Sequence, residues 1–162
     1  IRLAEDGPVG YGKAGSFEGF CSGGGIAQLG QVMAEEALDR EEIPSFCQSK
    51  GELFKVNART IAEAAEKGDP LALKIYDIVA DRLGQGLAIL VDLLNPEKIV
   101  IGSIFLRQEK LLRTRMEKIL NKEALEHSLS VVEVVPAGLG EKLGDYAAVS
   151  VGLRAYQKKQ ER

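Results

Sequence analysis

The chain of 162 residues is poor in the side chains that build disulfide frameworks and metal centres: one histidine, His127, and two cysteines, Cys21 and Cys47. Two thiols make no disulfide scaffold, and with a single imidazole they make no ordinary zinc site. Neither cysteine has a base beside it in the sequence, so neither reads as a nucleophile. Basic charge is scarce as well: Lys and Arg number 21 against 24 Asp and Glu, and the one dense basic run, Lys158 to Arg162, is a polar tail. Phosphate backbones need clustered cations, which argues against nucleic acid as a partner of this chain. No run of about 18 apolar residues is present to span a bilayer. Glu5 and Asp6 stand where a signal peptide would be apolar, so the expectation is a cytoplasmic protein. An initiating methionine is missing too. Ile1 leads within a few residues into the most glycine-rich stretch, from which we expect further strands of the same fold upstream.

What is present suits one ordinary domain, 1–162: 45% of the residues are hydrophobic. Glycines at Gly7, Gly10, Gly12, Gly15, Gly19 and Gly23 to Gly25 crowd the opening around a lone carboxylate, Glu18. So many permissive backbone positions fit sharp turns or close approach to a ligand. A single helical turn is expected at Phe17 to Cys21. A helix follows at about 25–38 with Ile26, Leu29, Val32, Met33 and Leu38 on one face, then a loop over 39–56 with a short helix near Phe46. Asn57 caps a helix that stops at Gly68. Asp69 and Pro70 open a long one whose face of Leu71, Ile75, Ile78, Val79, Leu83, Leu87, Leu90 and Leu94 extends for about 25 residues. Gly84 and Gly86 inside it cost helix propensity and point to another backbone packed close.

Lys98 to Gly102 reads as a buried strand and Ser130 to Val135 as a second, with a helix from about Gln108 to Leu120 between them, turning Leu111, Leu112, Met116, Ile119 and Leu120 inward. That order implies a parallel pair. A last helix spans about Asp145 to Lys158, with Asp145 as its cap and Ala147, Ala148, Val151 and Tyr156 available for burial. Two strands are too few for helices of this length. In open α/β sheets ligands lie beyond the carboxyl ends of the strands, which selects Gly102, Ser103 and Ile104 and the loop from Ala137 to Asp145.

Two phosphate-binding patterns almost fit the opening stretch. Gly10-Tyr11-Gly12-Lys13-Ala14-Gly15 satisfies a dinucleotide fingerprint, but Glu5, Asp6 and Pro8 stand where its strand should be. Gly7 to Ala14 approaches a Walker loop, with Ala14 in place of the magnesium-binding hydroxyl.

A third pattern covers more of the chain. Val9-Gly10-Tyr11-Gly12-Lys13-Ala14-Gly15-Ser16-Phe17-Glu18, followed by Ser22-Gly23, resembles the loop Cys-Gly-Cys-Gly-x-x-Gly-Cys-x-Glu of the ROK family of bacterial sugar kinases and sugar-responsive repressors. Every non-cysteine position is kept. The likeness continues through Ala65-Glu66-Lys67-Gly68-Asp69, Asn95-Pro96-Glu97-Lys98-Ile99-Val100-Ile101-Gly102 and Leu143-Gly144-Asp145. It implies the C-terminal part of an actin-like ATPase (ribonuclease H-like) domain, α/β with helices packed on a small sheet, the N-terminal lobe being absent from this chain.

Function follows the same resemblance: ATP-dependent phosphorylation of a hexose or N-acetylhexosamine, with Mg2+, by a homodimer, or, alternatively, the sugar-sensing part of a repressor without kinase activity. It makes Glu18 the sugar-contacting carboxylate, against a solvated or capping glutamate. At a helix N-terminus, Ser22 to Gly25, and of these Ser22, Gly23 and Gly24, would help position the nucleotide, with a plain helix stop as an equal competitor. Gly102, Ser103 and Ile104 would line the adenosine side, or form a bare strand-to-helix turn. No catalytic residue is expected in this chain, because the family's catalytic Asp and phosphate loops lie before Ile1; the isolated chain should be inactive. Val9, Tyr11 and Ser16 replace the zinc cysteines, so no zinc is expected, and packing of Val9, Tyr11 and Phe17 would have to hold the loop.

Overall fold

The computed structural model describes residues 1–160, apart from the side chains of Glu141 and Leu143; the end of the basic tail, 161–162, lies outside the described residues. Its axis is α4, Pro70–Leu94, against which α1, α2, α3 and α5 pack. The helix starts where the sequence directs: the Asp69 carboxylate accepts from Ala72 N at 2.9 Å, and Pro70 occupies the first turn. Asn95, left-handed at φ 44°, ends it. Ile75, Tyr76, Val79, Leu83, Leu87 and Val91 are buried along its length, while Leu94 is exposed. The buried Tyr76 hydroxyl donates to Ala58 O at 2.9 Å, so this polar group enters the core satisfied.

Gly84 lies where α4 meets the backbone of α5: an added Cβ would stand 2.6 Å from Met116 O and 2.7 Å from Ile119 Cβ. At Gly86 the close neighbour is instead the ring of Phe17, a side chain rather than the backbone expected there.

The other helices differ from expectation mainly at their ends. α1, Phe17–Cys21, is the single turn expected. α2, Gly23–Asp39, begins at Ser22, whose hydroxyl accepts from Gly25 N at 3.1 Å. Its inner face is Ile26, Gly30, Ala34 and Ala37, and Val32 is exposed. The short helix expected near Phe46 is a 3-10 turn at Lys50–Lys55. α3, Ala58–Glu66, carries a reciprocal cap between Asn57 and Thr60, and the chain turns at Gly68 with φ 87°.

β3, Lys98–Ile101, pairs in parallel with β4, Glu133–Pro136, in the register Lys98 opposite Glu133 and Ile101 opposite Pro136. α5, Ile104–Glu123, makes the crossover and buries Phe105, Leu112, Met116 and Leu120. It begins four residues before Gln108, which has non-helical backbone angles (φ −121°, ψ 26°). β4 begins three residues later than expected because Glu126–Leu129 forms a short helix, α6, on which His127 is exposed.

α7, Leu143–Gln160, departs most from expectation. Asp145 lies inside it rather than capping it, and Ala147, Ala148, Val151 and Tyr156 are exposed. The helix packs chiefly on the 3-10 turn just before it, Gly140–Lys142, and those side chains stay uncovered among the described residues. No helix among the described residues is long and apolar enough to cross a membrane.

Candidate functional site

The glycine-rich opening is a small hairpin, β1 (Val9–Gly10) antiparallel to β2 (Lys13–Ala14), with positive φ at both turn residues, Tyr11 (49°) and Gly12 (73°). Of the three side chains expected to hold it, Phe17 packs inward against Gly86 of α4, but Val9 and Tyr11 do not. Tyr11 is 91% exposed and Val9 48%. The grip is polar: Gln28 on α2 accepts from Val9 N at 2.9 Å and donates to Val9 O at 3.1 Å, so one amide pairs with both backbone groups. Ser16 ties the hairpin to α1, donating to Gly10 O at 3.3 Å while accepting from Gly19 N at 3.0 Å. Gly10 is required here, because a Cβ would lie 2.9 Å from Glu18 Cβ. Gly19 and Gly25 are equally constrained, each against a backbone carbonyl, of Pro8 and of Gly19 respectively.

This framework presents Glu18. It stands in the first turn of α1, exposed, and makes no hydrogen bond or ion pair among the described residues. Ser16 supplies the cap of α1, so Glu18 is free for another role. The hairpin offers zinc no donor set: Val9 has no ligand atom, Ser16 Oγ is committed to the cap, and Tyr11 faces solvent. Among the described residues no group of three or more His, Cys, Asp or Glu side chains could hold a metal ion. Burial, with a smaller contribution from the charge of Glu18, pushes the Cys21 thiol up to about 12; burial also raises that of Cys47. Both remain protonated at neutral pH.

The second group of expected residues converges nearby. Gly23 opens α2 directly beside Ile104, which opens α5; a Cβ on Gly23 would be 3.4 Å from Ile104 Cδ1. Both line a cavity of about 620 Å³ whose opposite wall is α3, with Ala58, Arg59, Ala62 and Glu63, and which Tyr76 and Gln108 also border. Arg59 and Glu63 pair with each other at 2.8 Å. Gly102 and Ser103 form the turn from β3 into α5, and Ser103 holds the strained angles φ 52°, ψ −120°. Ala137 N donates to Ile101 O at 2.9 Å, so the loop after β4 starts beside this turn. Ser22 caps α2, and Gly24 is exposed with open space around it.

Sequence reasoning missed the α3 wall, Gln108 and Gln28. Gln28 is one more polar residue on a helix surface, and only the fold shows that it meets β1. The nearest signal for Gln108 was the expected start of α5 at that residue, where the helix is in fact interrupted.

A family profile described as ROK family matches residues 1–152. The chain belongs to the ROK family. Among curated ROK relatives, the DNA-binding transcriptional dual regulator NagC of Escherichia coli is 31% identical over 134 residues, 80% of this chain and 33% of the relative. A glucokinase of Aeropyrum pernix is 28% identical over 151 residues, 93% of this chain and 46% of that protein. The chain thus spans a third to less than half the length of these relatives. Among solved structures, a ROK family transcriptional regulator, homolog of the E. coli MLC protein, superposes with TM-score 0.66 at 23% identity, over 84% of this chain and 33% of the other. A ROK family glucokinase from Streptomyces griseus, in complex with glucose and AMPPNP, gives 0.63 at 24%, over 88% and 46%. The α/β, actin-like fold of ROK proteins is therefore the fold of this chain.

Proposed function

We propose that this chain is the C-terminal half of a two-lobed, cytoplasmic ROK sugar kinase that phosphorylates a hexose or N-acetylhexosamine with ATP and Mg2+ and works as a homodimer. The observation that carries the proposal is that one short stretch of chain bears both a carboxylate with no hydrogen bond or ion pair among the described residues, Glu18, and a wall residue of the cavity, Gly23. Glu18 on α1 accepts sugar hydroxyls, since a carboxylate takes two charge-assisted hydrogen bonds without needing to donate. One turn later Gly23 opens α2 at the cavity wall beside Ile104, with Ser22 and Gly24 next to it in the chain and Gly102 and Ser103 in the turn that leads into α5. That arrangement suits a nucleotide at the carboxyl end of β3. Magnesium enters with the phosphates, and phosphoryl transfer depends on positioning and charge stabilisation by both lobes. The glucose and AMPPNP of the S. griseus relative support the pairing of ligands.

Replacing the carboxylate tests the sugar role. In the intact protein Glu18→Gln is expected to weaken hexose binding at least tenfold, about 1.4 kcal/mol, in a calorimetric titration. Unchanged affinity would overturn the assignment. The kinase reading fails if the intact protein consumes no ATP with any of a panel of hexoses and N-acetylhexosamines.

The NagC likeness favours a second reading, in which the same Glu18 pocket senses sugar for a repressor and no phosphate moves. Sugar binding that depends on Glu18, without sugar-dependent ATP consumption, would select it.

A further inference from the structure

A residue that lines the cavity between α3 and α5 carries an unexplained polar atom. Gln108 borders it, and the side-chain oxygen of Gln108 is buried with no hydrogen-bond donor, the one such side-chain atom among the described residues. Buried acceptors in folded proteins are almost always satisfied, so an orphan beside a cavity calls for an explanation. The surroundings narrow the missing donor. Gly23, Ala58, Ala62 and Ile104 give the cavity apolar faces, while Asn57, Glu66 and the Arg59–Glu63 pair add polar groups, a mixture that matches a flat ring with polar edges. The volume of about 620 Å³ is in the range of small-molecule sites. Arg59 and Glu63 are engaged with each other at its rim. Gln108 is also the residue at which α5 loses its helical backbone.

We propose that Gln108 is a specificity-determining residue that reads the base of the bound nucleotide, its side-chain carbonyl accepting a hydrogen bond from the 6-amino group of adenine. This rests on the nucleotide role proposed above for Ser22 to Gly24 and Gly102 to Ile104. A carbonyl can accept from that amino group but gains nothing from a purine with hydrogen at position 6.

A thermodynamic cycle on the intact protein tests the proposal. Calorimetric affinities are compared for ATP and for purine riboside 5′-triphosphate, which differs only in lacking the 6-amino group, using the natural chain and Gln108→Leu. Loss of the amino group is expected to weaken binding five- to tenfold in the natural protein and less than twofold in the variant. Gln108→Met, of similar length and without the acceptor, repeats the cycle if the leucine variant fails to fold. An equal penalty in natural and variant proteins, with ATP still bound, overturns the role of Gln108 and leaves the nucleotide site standing. Failure of both triphosphates to bind overturns both.

Discussion

Replacing Gly84 by alanine sets two opposed effects against each other at one position. In a helix interior, Gly to Ala ordinarily stabilises by about 1 kcal/mol, because glycine loses more backbone freedom on folding. At Gly84 the new methyl would lie 2.6 Å from Met116 O and 2.7 Å from Ile119 Cβ, both below the 3.0 Å that real Cβ atoms keep. Neither neighbour is the free end of a flexible chain: one is backbone and the other is fixed to it. α5 must therefore move off α4 by several tenths of an ångström, along the interface on which Leu112, Met116 and Leu120 are buried. Overpacking of this kind costs about 1–3 kcal/mol, and the rigid neighbours place Gly84 at the upper end. The net loss is about 2 kcal/mol, or about 4–8 °C in Tm for a protein of this size. Gly24 provides the control. It is the second residue of α2 with nothing within 4 Å, so Gly24→Ala is expected to raise stability by up to about 1 kcal/mol. Thermal unfolding followed by circular dichroism measures both. If Gly84→Ala melts at or above the natural protein, α5 yields freely and the close-packing account is wrong.

Gln28→Leu removes both bonds to Val9 and should loosen the hairpin while leaving the core of α2 intact. Limited proteolysis is expected to cut near Tyr11 several times faster with Tm lowered by no more than a few degrees; unchanged cleavage would show that Ser16 suffices. For Asp69, burial alone would raise the carboxyl, but hydrogen bonds from Ala72 and Ser45 outweigh it and hold the group below the usual carboxylate range. A depressed folded pKa contributes stability that is complete above the unfolded value of about 4 and is lost as pH falls through the folded one. Asp69→Asn should therefore be less stable than the natural protein at pH 7, with the gap closing in acid; a gap independent of pH would sink this account. Glu18→Gln and the Gln108 cycle complete the set.

Much of the fold was legible because it is written locally. Caps at Asn57 and Asp69, the proline of α4, its apolar period and the β-branched run of β3 act over a few residues, and all appear where expected. The helical turn that carries Glu18 was legible for a similar reason: the glycines that shape it are its neighbours in sequence. The α3 wall, the orphan oxygen of Gln108 and the Gln28 grip were not legible, since each depends on residues tens of positions apart.

The sequence by itself determined most of the helices and the parallel strand pair, because hydrophobic period, capping and turn chemistry are short-range physics, and its glycine-rich motif pointed to the family. Tertiary structure decided what those parts meet. It put the Phe17 ring rather than a backbone against Gly86, replaced apolar packing of Val9 and Tyr11 by the Gln28 amide, and left the apolar side chains of α7 exposed among the described residues. It also brought the starts of α2 and α5, some eighty residues apart, to one cavity. Such contacts follow from how whole elements pack, and no short window of sequence contains them.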